Sequence, residues 1–181
     1  MCGIVGIYLK TKKFEKNLGK MLSGMLNNME SRGPDSAGFA IYKEENKKNY
    51  KYSLCLNNTN VNDFEKKILK IFKKAQLSQF SDHVILKTSE NPKKMIKILS
   101  SNFPEVSIVG YGKSIEIFKQ IGNPKDIVKK FNLESFSGTH GIGHTRMATE
   151  SAITTDGSHP YSTGEDECLV HNGSLSNHNN L

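Results

Sequence analysis

Met1-Cys2-Gly3-Ile4-Val5-Gly6-Ile7 opens the chain, and its reading decides the fold. An uncharged apolar run at a terminus is read as a buried strand, which holds the end of the chain in a core. Cysteine behind the initiator methionine is small enough for an aminopeptidase to expose. Cys2 would then carry a thiol and a free α-amine, groups that titrate near ~8.5 and ~8. One can serve the other as base, as N-terminal threonine nucleophiles use their own amine. A cysteine at position 2 is also a common accident, so the rest of the chain has to support this reading.

Working outward, residues 14–29 place Leu18, Met21, Leu22, Met25, Leu26 and Met29 at helical spacing. That helix stops before Ser31-Arg32-Gly33-Pro34-Asp35, because proline biases its predecessor away from helical angles. Residues 36–42 read as a second buried strand, with 50–56 as its hairpin partner. Residues 62–76 predict an amphipathic helix, with Phe64, Ile68, Leu69, Ile71 and Phe72 inside. Strands are expected at 82–88, 141–145 and 168–171, and helices at 92–99 and 124–131. Residues 106–111 and 114–121 read as a hairpin around Gly110-Tyr111-Gly112. Irregular crossovers and alternating strands predict an α+β fold with antiparallel pairing.

The chain has 181 residues, enough for one domain with a real core. No apolar run approaches the ~18 residues of a membrane span, and no export signal is present, so no membrane association is expected. Three cysteines at unrelated positions make no disulfide framework, which fits a reducing, cytoplasmic setting. The net charge of +7 invites nucleic acid. However, the basic residues are scattered lysines among acids, and only Arg146 is basic from Gly138 onward. No nucleic-acid partner is expected.

Arg32 and Arg146 are the only arginines. A chain this rich in lysine keeps arginine where a planar, two-pronged grip on a carboxylate is needed. Gly110-Tyr111-Gly112-Lys113-Ser114 imitates the end of a phosphate loop, but Ser107 stands where the leading glycine belongs and a strand follows. His140 and His144 lie four apart without a third ligand, so no metal is expected. Asn172-Gly173 ends a strand. The pair is the commonest tight hairpin turn, but an amide side chain beside a glycine N–H can also donate to a developing oxyanion.

Four motifs, Cys2-Gly3-Ile4-Val5-Gly6, Arg32-Gly33-Pro34-Asp35-Ser36-Ala37-Gly38, Gly143-His144-Thr145-Arg146 and His171-Asn172-Gly173, occur in this order over nearly the whole chain. Together they resemble the glutaminase domain of class II glutamine amidotransferases, a branch of the N-terminal-nucleophile hydrolases. The resemblance implies a single type-2 amidotransferase domain over residues 1–181 with a four-layer αββα sandwich. It implies hydrolysis of L-glutamine to glutamate and ammonia through a γ-glutamyl thioester, with no cofactor. By the same likeness Cys2 is the nucleophile, and Asn172 and Gly173 form the oxyanion hole. Arg146 grips the substrate α-carboxylate, Thr149 lines the pocket and His159 stands at its rim. Arg32 and Gly33 support the N-terminal strand.

Ammonia would pass to a synthase subunit or domain. Met147 and Glu150 depart from the hexosamine-forming pattern. Ser158-His159-Pro160 and the run after Gly173 look closer to the amidotransferase subunit that accompanies glutamate-synthase-like and N-methylglutamate synthase proteins. Other class II glutaminase domains remain as alternatives, as does a non-catalytic module of the same fold. The family's acidic residue for the glutamine α-ammonium has no counterpart before Leu181, so the domain is expected to be incomplete at its C-terminal end.

Overall fold

The computed structural model describes residues 2–148 and 152–173. Ten strands and four α-helices follow in the order β1 (Gly3–Tyr8), α1 (Leu18–Asn28), β2 (Ser36–Tyr42), β3 (Tyr50–Cys55), α2 (Val61–Ile71), β4 (Gln76–Phe80), β5 (His83–Thr88), α3 (Pro92–Asn102), β6 (Ser107–Gly112), β7 (Ile115–Ile121), α4 (Pro124–Lys130), β8 (His140–Arg146), β9 (Tyr161–Gly164) and β10 (Glu167–Leu169). Two four-stranded sheets, β1-β8-β2-β7 and β4-β5-β3-β6, are joined by a β9–β10 ribbon. Every ladder is antiparallel, so the fold is α+β as expected.

Each sheet has its own helical cover. Leu18, Leu22 and Leu26 of α1, with Ile127 and Val128 of α4, share a cluster with Val5, Phe39 and Phe118 of the first sheet. Phe64 and Ile68 of α2, with Met95 and Leu99 of α3, cluster with Tyr52, Leu54, Val84 and Leu86 of the second. A third cluster, Ala40, Cys55, Val109, Ile115 and Ile117, takes members from both sheets. Three helix starts are capped by asparagine side chains, Asn60, Asn91 and Asn123, which accept first-turn N–H groups. Proline follows two of these caps directly, where its missing N–H costs nothing.

Several sequence expectations are corrected. Residues 36–42 and 50–56 do not form a hairpin: β2 pairs with β7 and β8, whereas β3 pairs with β5 and β6. Residues 106–111 and 114–121 are also not a hairpin, since β6 and β7 belong to different sheets and the chain changes sheet at Lys113-Ser114. The first helix begins at Leu18, behind a 3-10 turn over Lys12–Asn17. The second helix ends at Ile71, which is exposed, and Gln76 already starts β4. Strands β4 and β9 were not foreseen.

Candidate active site

Strand alternation builds the site. Gly3 pairs with Thr145, Ile4 with His144 and Val5 with Gly143. Val5 and Gly143 face the leucines of α1. The alternate residues, among them Ile4, His144 and Arg146, therefore look the other way. The same alternation adds Ser36 and Gly38 of β2 and Lys119 of β7, because Gly38 pairs with both His144 and Lys119. Ile4, His144, Gly38 and Lys119 thus form one row across the sheet. Cys2 stands just before β1, and Arg146 ends β8 in the next row.

The segment 152–173 returns over this face and is tied to it by side chains that donate to its carbonyls. Lys119 Nζ donates to Asp156 O and to Ser158 O, both at 2.9 Å. Arg146, 8% exposed, donates through Nη1 to Ala152 O at 3.3 Å. His144 Nε2 lies 2.9 Å from His171 O. A carbonyl only accepts, so Nε2 carries the proton. Burial pushes His144 down to about 4 and His159 down to about 3, with the charges of nearby residues adding to the effect on His159. Their rings are 4.1 Å apart, and Tyr161 packs on His159 at 4.3 Å. Gly38 permits this approach, since a Cβ there would fall 2.2 Å from His159 O.

Residues 2 and 172 meet here. Asn172 Nδ2 donates to the Cys2 carbonyl at 3.0 Å across 170 residues. The Cys2 thiol is half-buried and lies 3.9 Å from Met147 O. Asn172 and Gly173 are exposed. His159, itself part of the returning segment, is buried, 8% exposed.

The Arg32–Gly38 motif supports the site through its backbone and its acid. A Cβ on Gly33 would come within 2.6 Å of Thr145 and Arg146 backbone atoms, so only glycine lets this turn lie against β8. Asp35 accepts the Ala148 N–H at 2.7 Å, and its own N–H donates to Arg146 O at 3.1 Å. Arg32 is exposed and makes no side-chain hydrogen bond or ion pair among the described residues. Thr149 lies outside the described residues. Sequence reasoning missed Asp35, Lys119 and the anchoring role of His144. A lysine on the apolar alternation Ile115, Ile117, Lys119 was an available signal.

Away from the site, Cys55, Asp82 and His83 bring three potential ligand atoms within 4.8 Å. Asp82 already pairs with Lys130 at 2.9 Å and with His83 Nδ1 at 3.0 Å, and these contacts hold its carboxyl down at about 2. This group reads as a half-buried ion pair beside a buried histidine.

No family model matches the chain. It is similar to the glutamine amidotransferase-like protein GlxB of Rhizobium meliloti, with 47% identity over all of this chain and 61% of the relative. It is similar to a Methanothermobacter thermautotrophicus protein provisionally named a glutamine amidotransferase, with 30% identity over 98% of this chain and 63% of that protein. A glutamine–fructose-6-phosphate aminotransferase of Methanococcus maripaludis matches 49% of this chain at 35% identity, and 16% of its own length. The chain therefore spans about three-fifths of the two relatives it matches throughout. No helix among the described residues is long and apolar enough to cross a membrane. Homology along the whole chain to proteins named as glutamine amidotransferases supports a place for it among the class II amidotransferases, the family that its four motifs resemble.

Proposed function

We propose that this chain is the glutaminase half of a class II glutamine amidotransferase and that Cys2, freed of Met1, is its nucleophile. The reading is supported by the contact between the Asn172 amide and the Cys2 carbonyl, and by the pairing of Gly3 with Thr145, the neighbour of Arg146. The Cys2 thiol gives its proton to the α-amine, and the sulfur attacks the substrate Cδ. The amide oxygen becomes an oxyanion stabilised by the second Asn172 N–H and by the Gly173 N–H. Collapse breaks the C–N bond, and the amine's proton leaves with ammonia. Water, deprotonated by the same amine, then cleaves the thioester to release glutamate and the thiol.

Arg146 binds the α-carboxylate, Thr149 lines the pocket, His159 shapes its floor, and Gly33 with Arg32 supports the N-terminal strand. The two helix-covered sheets and their shared third cluster favour an αββα stacking. Ammonia passes to a synthase partner, for which a glutamate-synthase-like or N-methylglutamate synthase protein is the favoured class. Three free thiols favour a reducing, cytoplasmic setting.

Intact mass before and after incubation with a glutamine-like alkylating analogue, read beside glutamate release, tests the reading. The expected species lacks Met1, gains one adduct at Cys2 and loses turnover in Cys2→Ala. Glutamate release undiminished in Cys2→Ala would overturn it.

A further inference from the structure

We infer that His144 is a positioning residue for catalysis, holding the His171 carbonyl so that Asn172 and Gly173 face Cys2; this rests on the reading proposed above. His144 is fully buried in the middle of β8 and donates through Nε2 to His171 O at 2.9 Å, 27 residues away. The next residue, Asn172, donates to Cys2 O at 3.0 Å. His171, Asn172 and Gly173 are themselves exposed, so burial does not fix their geometry. Two side-chain contacts thus anchor this tripeptide, His144 at its first residue and the Asn172–Cys2 contact at its second. One comes from the sheet, and the other reaches the nucleophile's own backbone.

The chemistry of the anchor is specific. One Asn172 N–H is used on Cys2 O, which leaves the second free for a developing oxyanion. That donor is useful only if the backbone at residue 171 keeps its register, because oxyanion donors must lie about 2.7–3.1 Å from the position the oxygen will take. The ring of His144 is itself wedged against His159 at 4.1 Å. Its Nδ1 is buried and has no hydrogen-bond partner among the described residues. The imidazole therefore works as a fixed neutral N–H donor and not as a proton carrier.

The test uses the full chain and four measurements: glutamate release, KM against kcat, the alkylation rate of Cys2 by iodoacetamide, and the thermal midpoint. Iodoacetamide displaces iodide directly and needs no oxyanion hole, so it reports an accessible Cys2 thiolate alone. In His144→Leu, kcat is expected to fall on the order of 100-fold, as for loss of an oxyanion donor. KM and Cys2 alkylation should stay within about threefold, because the lost interaction belongs to the transition state. His144→Gln, whose amide N–H reaches the same carbonyl, should recover most of kcat.

A His144→Leu enzyme with kcat within about threefold of the parent overturns the inference while leaving the Cys2 reading intact. Parallel loss of turnover and alkylation in both variants also overturns it, because that is the mark of a purely structural role. If Cys2→Ala, run alongside, still turns over, the underlying reading fails first.

Discussion

His144 of β8 and His159 of the returning segment lie ring against ring, and burial keeps both neutral. An exposed histidine titrates near ~6.5. Between about pH 6.5 and 4 the unfolded chain therefore binds protons at these positions that the folded chain does not. Stability is fully present above pH 6.5 and falls as the pH drops toward 4, by a few kcal/mol on the order-of-magnitude scale of ~1.4 kcal/mol per pH unit and group. Urea midpoints from pH 7.5 to 4.5 should show this fall, with a shallower slope in a stable His159 variant. Gly33→Ala is expected to cost about 1–3 kcal/mol, because its methyl would enter the β8 backbone; thermal melts would register it. Cys2, Arg146 and Asn172 stand out as candidates in the sequence because each sits in a local motif, and the fold brings Cys2 and Asn172 into contact. Asp35 and His144 sit in those motifs too, but their partners are 113 and 27 residues away and only folding discloses them.

One side chain does much to fix the β9–β10 ribbon. Asp166, at φ 57°, accepts the N–H groups of Lys113, Ser114 and Ile115 and the Ser114 hydroxyl, at 2.7–2.9 Å. These bonds hold its carboxyl below the usual range against the opposing effect of burial. The loop that imitates a phosphate site thus does hold an anion, and the anion is the protein's own. Asp166→Ala should cost roughly 2–4 kcal/mol, given ~1.5–3 per bond to a charged group and partial replacement by water. Glutamate release should fall with stability, because the ribbon leads directly into His171; a melt and a rate on one sample would show both. The misread hairpins belong to this scale. β2 is buried along nearly its whole length and β3 along most of its own. Their neighbours in sequence were equally apolar, so composition alone could not say which sheet each would join.

Across the whole molecule the sheets are pinned by a buried charge cluster. Glu116 of β7 meets Lys43 at 2.6 Å and Lys51 of β3 at 3.3 Å, and both Glu116 and Lys51 are almost fully buried. Burial lowers the Lys51 pKa, and the neighbouring carboxylate only partly restores it. Glu116→Gln leaves that ammonium uncompensated, and a loss of about 3–5 kcal/mol is expected in denaturant unfolding. Pairing Glu116→Met with Lys51→Met should recover much of it, since an apolar replacement of the whole pair avoids the stranded charge.

The β1–β8 ladder also sets a clock. Among the described residues, residues 3–8 pair with residues 140–145, so on the ribosome the first strand stays without this partner until residue 145 has been made. At about 5–20 residues per second that interval is roughly 7–30 s. During it a methionine aminopeptidase meets Cys2 on an unfolded tail, and afterwards it meets Cys2 docked against Asn172. On the reading proposed above, maturation of Cys2 is a race between trimming and folding. Slowing synthesis should raise the trimmed fraction, whereas refolding untrimmed protein in the presence of the peptidase should leave much of it inert.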